Sequence, residues 1–270
     1  VFNTPSTWVE VSHVVATSFY AGAFMLIAFF AWKLLSRRTT DAEKRVYRKV
    51  LGPVVAVAIL FTVFSILTGI VSIATLYSQQ PEKYAAMELD LVPQSFAPEY
   101  IGGIYANNQI IDGIPIPGLQ SMLATGSPSG SVPGLSQYPQ STWPPLIIHL
   151  MFDLMVGLAL LTGLALLLVL LLKIIRRDVY PRIVLLGLLA AGIIAVFVLE
   201  DGWVLAELGR QPWIVYNVLT VAQAANTSPS LLPILLAIIG FYIVIIPLTL
   251  FVLKRIFDSR PLAKEIRVKG

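Results

Sequence analysis

Five long apolar runs, near residues 12–36, 51–77, 145–174, 181–206 and 231–256, leave this chain little choice of fold. A hydrocarbon core is crossed by roughly 20 residues of helix, and each run is long enough. Membrane barrels are built from short segments of alternating polarity, whereas these runs are continuously apolar. In lipid the backbone has no water to bond, so helices that satisfy it internally are the remaining solution. The expected fold is an all-α integral membrane protein, a single membrane domain over residues 1–270 with five transmembrane helices and one long extracytoplasmic loop. With 57% hydrophobic and 13% charged residues, the chain is excluded from the soluble globular class.

The charges orient it. Of 19 Lys and Arg, 17 lie between the first and second runs, between the third and fourth, or after the fifth. Only Lys83 and Arg210 lie on the other side. By the positive-inside rule the N-terminus and the long loop are extracytoplasmic and the C-terminus cytoplasmic. The basic balance therefore reports topology and anionic lipid. No basic stripe with interleaved aromatics is present, so no nucleic-acid partner is expected. The chain has no cysteine, which excludes disulfides, iron–sulfur clusters and thioether-attached haem. Any metal must be held by His, Met or carboxylate. The chain opens on a polar, extended Asn3–Thr7 stretch without a signal-peptide pattern, so the first span itself, or an upstream partner, is expected to direct insertion.

The loop, residues 78–144, is rich in Pro, Gly and Ser, and its Gly126–Gly134 tract cannot continue a helix. A structureless loop of this length is functional or disordered. Its front part, Pro81–Asp90, has helix formers and is expected to be a short surface helix continuing from the second span.

Several polar residues stand where lipid-facing helices should have none. The two histidines, His13 and His149, lie inside the loop-side ends of spans. Small residues at Ala16, Ser18, Ala21 and Gly22 follow His13 and let a helix or a flat cofactor approach. Haem iron takes His and Met ligands, and Met155 lies at a depth similar to that of His13, although core packing is the plainer role for a methionine. Asp153 follows His149 by one turn, and an i,i+4 hydrogen bond would account for both. The most informative stretch runs from Trp203 through Glu207, Gly209, Arg210 and Pro212 to Trp213, at the mouth of the fourth span. It reads as an interfacial cap with an aromatic belt or as a functional site.

The Glu207–Trp213 string, the His13 segment and the Phe152–Val156 segment together resemble subunit I of cytochrome bd quinol oxidases, in order and over nearly the whole chain. The match is to that subunit's C-terminal five helices, in a prokaryotic plasma membrane. The resemblance implies His13 and Met155 as axial ligands of a low-spin haem b. Glu207 would be the carboxylate ligand of a high-spin haem b, with Trp203 between haems and Arg210 and Trp213 holding the site. Haem d or haem b at the oxygen site would be shared with a partner chain. Lys83 and Glu88 match the family's Lys-x-x-x-x-Glu pattern for quinol oxidation, in a short version of its quinol-binding loop. The partners implied are a chain carrying the N-terminal half, a subunit II and a small single-span subunit.

Two departures stand out. Asp153 replaces an arginine beside the low-spin haem, which by electrostatics favours oxidised iron. The chain also begins where the family's fifth helix would begin, and the histidine of the oxygen-reducing haem lies upstream of that point. The expected function is the haem-binding part of a quinol:oxygen oxidoreductase completed by another chain. The competing readings are a haem b quinol dehydrogenase that does not reduce oxygen and a non-catalytic membrane subunit.

Overall fold

The computed structural model describes residues 5–107, 109–176 and 180–259. The basic residues Arg177, Arg260, Lys264, Arg267 and Lys269 lie outside them. Five helices are long and apolar enough to cross a membrane. Helix α1 spans Pro5–Leu35, so the stretch expected to be extended is already helical from Pro5. Proline is at home in a first turn, where its missing N–H has no partner to lose. Helix α2, Asp41–Gln79, is opened by Thr40, whose hydroxyl accepts from the Glu43 N–H while the Glu43 carboxylate accepts from the Thr40 N–H. This reciprocal cap makes the turn after α1 tight.

The loop follows. Helix α3, Pro81–Met87, leads to strands β1 (Gln94–Ser95), β2 (Glu99–Ile101), β3 (Ile104–Ala106), β4 (Gln109–Ile111) and β5 (Ile114–Ile116). Helix α4, Leu119–Thr125, and strand β6, Ser131–Val132, complete it. The strands pair antiparallel as β1 with β6, β2 with β5 and β3 with β4, so β2 to β5 form one nested hairpin. The loop is thus folded on itself rather than structureless. Expectation and structure also part at α3. It is broken from α2 at Gln80 and is not a surface helix: Tyr84, Ala85, Ala86 and Met87 are all buried. Its small residues let it lie flat on the bundle.

Helices α5 (Ile148–Arg176) and α6 (Arg182–Gly209) then complete a four-helix bundle with α1 and α2. Helix α1 packs on α2 and α6, and α6 packs on α5, while α2 and α5 touch only sparingly. The core is Phe24, Ile27 and Ala31 against Leu51, Ala58, Val169, Leu188 and Ala195. Close packing has a named cause: a Cβ on Gly192 would come within 2.7 Å of the Phe24 carbonyl. A short hairpin, β7 (Trp213–Val215) with β8 (Leu219–Thr220), runs into the single turn α7, Val221–Ala224. Helix α8, Leu231–Ser259, stands apart, and none of its apolar stretch is buried.

Candidate functional site

The bundle's polar contacts set its register. Thr162 on α5 donates to the Ala159 carbonyl (2.7 Å), so its oxygen accepts from the Tyr20 hydroxyl of α1 (2.6 Å). This bond joins α1 to α5 across the bundle. His13 precedes Tyr20 by seven residues, and Met155 precedes Thr162 by seven. Seven residues are two helical turns, about 10 Å, and return to nearly the same face. Both helices start at the loop end, so His13 and Met155 lie on mutually facing sides, two turns nearer that end.

The His13 ring is fixed from α2. Thr68 donates its hydroxyl to the Phe64 carbonyl (2.9 Å), which leaves the oxygen to accept from His13 Nδ1 at 2.9 Å. The tautomer is thereby assigned: Nδ1 carries the proton and Nε2 the lone pair. That is the form a metal-binding histidine needs, with the second nitrogen held by an outer partner. Gly69 lies against the ring, where an added Cβ would make ordinary contact with Cε1 at 3.5 Å. On the opposite side, Met155 Sδ is 3.2 Å from the Cβ that Gly202 of α6 lacks. Asp201, beside Gly202, has a buried oxygen without a hydrogen-bond partner. A directed imidazole lone pair, a thioether, flanking glycines and an unsatisfied carboxylate oxygen fit a haem better than a closed core.

The second group sits at the end of α6. Trp203 and Glu207, one turn apart, are both about half exposed, at 52% and 55%. Glu207 is paired with Arg210. Gly209 makes room for Lys83, whose Cε would lie 2.7 Å from an added Cβ. Burial lowers the Lys83 pKa, Glu10 and Glu207 oppose the shift, and Arg210 adds to it. The structure thus joins Lys83 to the Glu207–Arg210 pair, a link the sequence reading did not make. Lys83, Glu82, Arg210, Trp213 and Tyr216 line an open cleft. Within it, burial raises the Glu82 carboxyl, against the Thr142 hydroxyl and the Trp213 indole.

Glu88 is not on that wall. Five residues at 3.6 per turn place it about 140° around the helix from Lys83. It is 5% exposed, and its Oε2 has no partner. Around it lie Glu99 of β2, Asp90 and Asp153, and burial drives its carboxyl well above the ordinary range, with Glu99 next in effect. The structure therefore separates Lys83 and Glu88, which the sequence pattern grouped.

His149 and Asp153 prove to be anchors for the loop. The expected hydrogen bond between them is not made, since His149 Nε2 and Asp153 Oδ2 stand 3.6 Å apart. His149 Nδ1 instead faces the Met87 carbonyl at 2.8 Å, and Nε2 faces the Gly102 carbonyl at 2.9 Å. Each ring nitrogen thus lies within hydrogen-bond distance of a loop carbonyl. Asp153 accepts from the Gly102 N–H. Helix α5 thus grips the loop at Gly102 from both sides.

Sequence reasoning missed Thr68, Asp201 and Glu99. A polar side chain in an otherwise apolar span signalled the first two, and nothing local signalled the third.

The comparisons agree with this fold. A bd oxidase structure from Geobacillus thermodenitrificans superposes with a TM-score of 0.83 at 34% identity, over 96% of this chain and 59% of that one. A provisionally named cytochrome bd menaquinol oxidase subunit I of Bacillus subtilis (strain 168) is 32% identical over 268 residues, 98% of this chain. A cytochrome bd ubiquinol oxidase subunit 1 of the same organism is 28% identical over 259 residues, 89% of this chain. The chain spans 60% and 53% of the lengths of these two relatives. The family described as cytochrome bd terminal oxidase subunit I matches residues 1–261, and the chain belongs to that family.

Proposed function

We propose that this chain is the quinol-oxidising, haem-binding part of a cytochrome bd-type quinol oxidase in a prokaryotic plasma membrane. The observation that carries the reading is the register of His13 and Met155 above the Tyr20–Thr162 bond, with Thr68 presenting the His13 Nε2 lone pair. His13 and Met155 would hold a low-spin haem b. Glu207, on the open face of α6 with Trp203, would hold a high-spin haem b. An oxygen-site haem, d or b, would be completed by the rest of the complex: an N-terminal half, a subunit II and a small single-span subunit. Bound haem supplies the one-electron acceptor that quinol oxidation needs.

The chain's own residues handle the protons. Oxidising quinol releases two, and Glu88, whose proton affinity is raised by burial and by the acids around it, is placed to accept one. Helix α3 lies directly over the bundle. Ala85, Ala86 and Met87 share an apolar cluster with Met155, so proton acceptance occurs next to that ligand. Lys83, on the other face, keeps a positive charge at the Glu207–Arg210 end. With the loop outside, as the basic residues orient it, these protons leave on the outer side.

The test is anaerobic addition of quinol to the purified complex, followed by visible spectroscopy. Reduction of a sharp low-spin b band supports the reading. A complex with all its subunits and no haem band overturns it.

A further inference from the structure

The nested hairpin β2–β5 carries apolar side chains that its own fold leaves uncovered. Its strands are three residues long and are broken at Gly102 and Gly103, where both φ angles are positive. A Cβ on Gly103 would come 2.9 Å from the Gly113 Cα, so the two halves of the hairpin meet there in a narrow waist. That waist is tied to α5. Gly102 donates its N–H to Asp153 and turns its carbonyl to His149 Nε2 at 2.9 Å. His149 is the second residue of α5 and Asp153 the sixth. At 1.5 Å per residue the tie lies within about 8 Å of the start of that helix.

On either side of the waist stand isoleucines that the described residues leave open. Ile101, Ile104 and Ile114 are 52%, 45% and 65% exposed. Ile101 and Ile114 are cross-strand partners and share one face of the hairpin. We propose that this hairpin is seated in the surface of the bilayer on the loop side, with Ile101, Ile104 and Ile114 at the level where headgroups meet acyl chains. The loop is then a second, shallow membrane contact besides the five spans. The seat does not depend on the haem or quinol assignments.

Depth and charge both argue for lipid. The apolar stretch of α5, Ile148–Leu172, is 25 residues long, about 37 Å of helix against a hydrocarbon core of ~30 Å. The mouth of α5 therefore stands at the headgroup level, and Ile147 and Leu154, on either side of the tie, are exposed as lipid-facing residues are. Ile101 adjoins Gly102 and Ile104 is two residues on, so at ~3.3 Å per residue both lie within ~7 Å of it. The hairpin is continuous with the membrane-facing end of the bundle. From Tyr100 to Ile111 it carries no charged residue, and no Lys or Arg occurs from residue 84 to 172. Adsorption to anionic lipid needs cations, so burial of apolar surface is the attraction here. Tyr100 and Tyr105, in the same strands, are of the kind enriched at this level. Strands β2 and β5 pair only with each other. Their outer edges keep backbone groups that interfacial water satisfies and hydrocarbon does not, which makes the seat shallow.

The chain has no cysteine, so single cysteines can carry a fluorescent label at chosen points. The experiment uses the purified complex in vesicles of neutral phospholipid, labelled at Ile114→Cys. Leu160→Cys on α5 is the lipid reference, Ser129→Cys in the loop is the aqueous one, and the unsubstituted complex gives the background. Nitroxides carried on the lipid, near the headgroup or near the chain end, are compared with iodide in the water. The shallow nitroxide should quench Ile114→Cys at least about threefold more than Ser129→Cys, and the deep one should quench it less than Leu160→Cys. Iodide quenching equal to that at Ser129→Cys, with no response to either nitroxide, overturns the proposal. Protection from lipid and water quenchers alike also overturns it, because another subunit then covers the hairpin. Should Ile114→Cys fail to assemble, Ile101→Cys carries the same test. No reading depends on haem or quinol, so failure here is distinct from failure of the proposed function.

Discussion

In the bundle, the polar groups that cross between helices are mostly tied off in pairs, Tyr20 to Thr162 and His13 to Thr68, and each pair fixes a direction. In the loop above it, acids crowd together, and one buried carboxylate oxygen is left unpaired. The bundle spends its polar groups on geometry: the Thr68 bond holds the His13 ring in one orientation. In the loop, burial and like charge raise carboxyl pKa values instead.

The comparison is sharpened first at Glu88. Replacing it by Gln should cut quinol oxidation by ~100-fold or more, with haem content unchanged, as read by steady-state turnover and pyridine haemochrome. Lost haem in that variant would show that loop and bundle are not separable. Next is Thr68→Val, which removes the acceptor for His13 Nδ1. Outer-shell partners typically contribute ~10–100-fold in affinity, so low-spin haem occupancy should fall by about that factor, and Thr68→Ser should restore it. Equal occupancy in Thr68→Val would mean the bundle does not depend on this bond.

His149→Leu tests the anchor. It leaves the Met87 and Gly102 carbonyls without donors, at about 1–3 kcal/mol for each buried group. Faster hydrogen exchange over residues 87–103 should report it, and unchanged exchange would deny the clamp. The smallest effect concerns Asp90, whose pKa burial raises from 3.8 to about 7. A carboxyl raised in the folded state contributes stability that is full below its unfolded pKa and is lost as pH rises through the folded one. Loop stability should therefore decline between about pH 4 and 7, and Asp90→Asn should flatten that slope. A slope unchanged in the variant would place its origin elsewhere in the cluster.

The spans were legible because twenty-odd apolar residues allow one solution in lipid. That His13 and Met155 lie at like depth was legible, since each stands a similar distance from the loop end of its span. Thr68 was not, because its partner is 55 residues away and only packing of α1 on α2 shows the two together. The burial of α3 escaped too, since Tyr84–Met87 contains helix formers that suit a surface as well as a lid. The β2–β5 pairing that fixes Glu99 was not legible either, since three-residue strands do not announce themselves. Where Lys83 and Glu88 lie relative to each other was not legible from the pattern alone, because residues five apart on a helix diverge.

The central claim is that His13 and Met155 together hold a low-spin haem. Its most direct test is the dithionite-reduced minus air-oxidised spectrum of complexes carrying His13→Ala or Met155→Leu. Each substitution should abolish the sharp low-spin b band and leave the broader high-spin contribution of the Glu207 haem. An unchanged low-spin band in both variants would contradict the account.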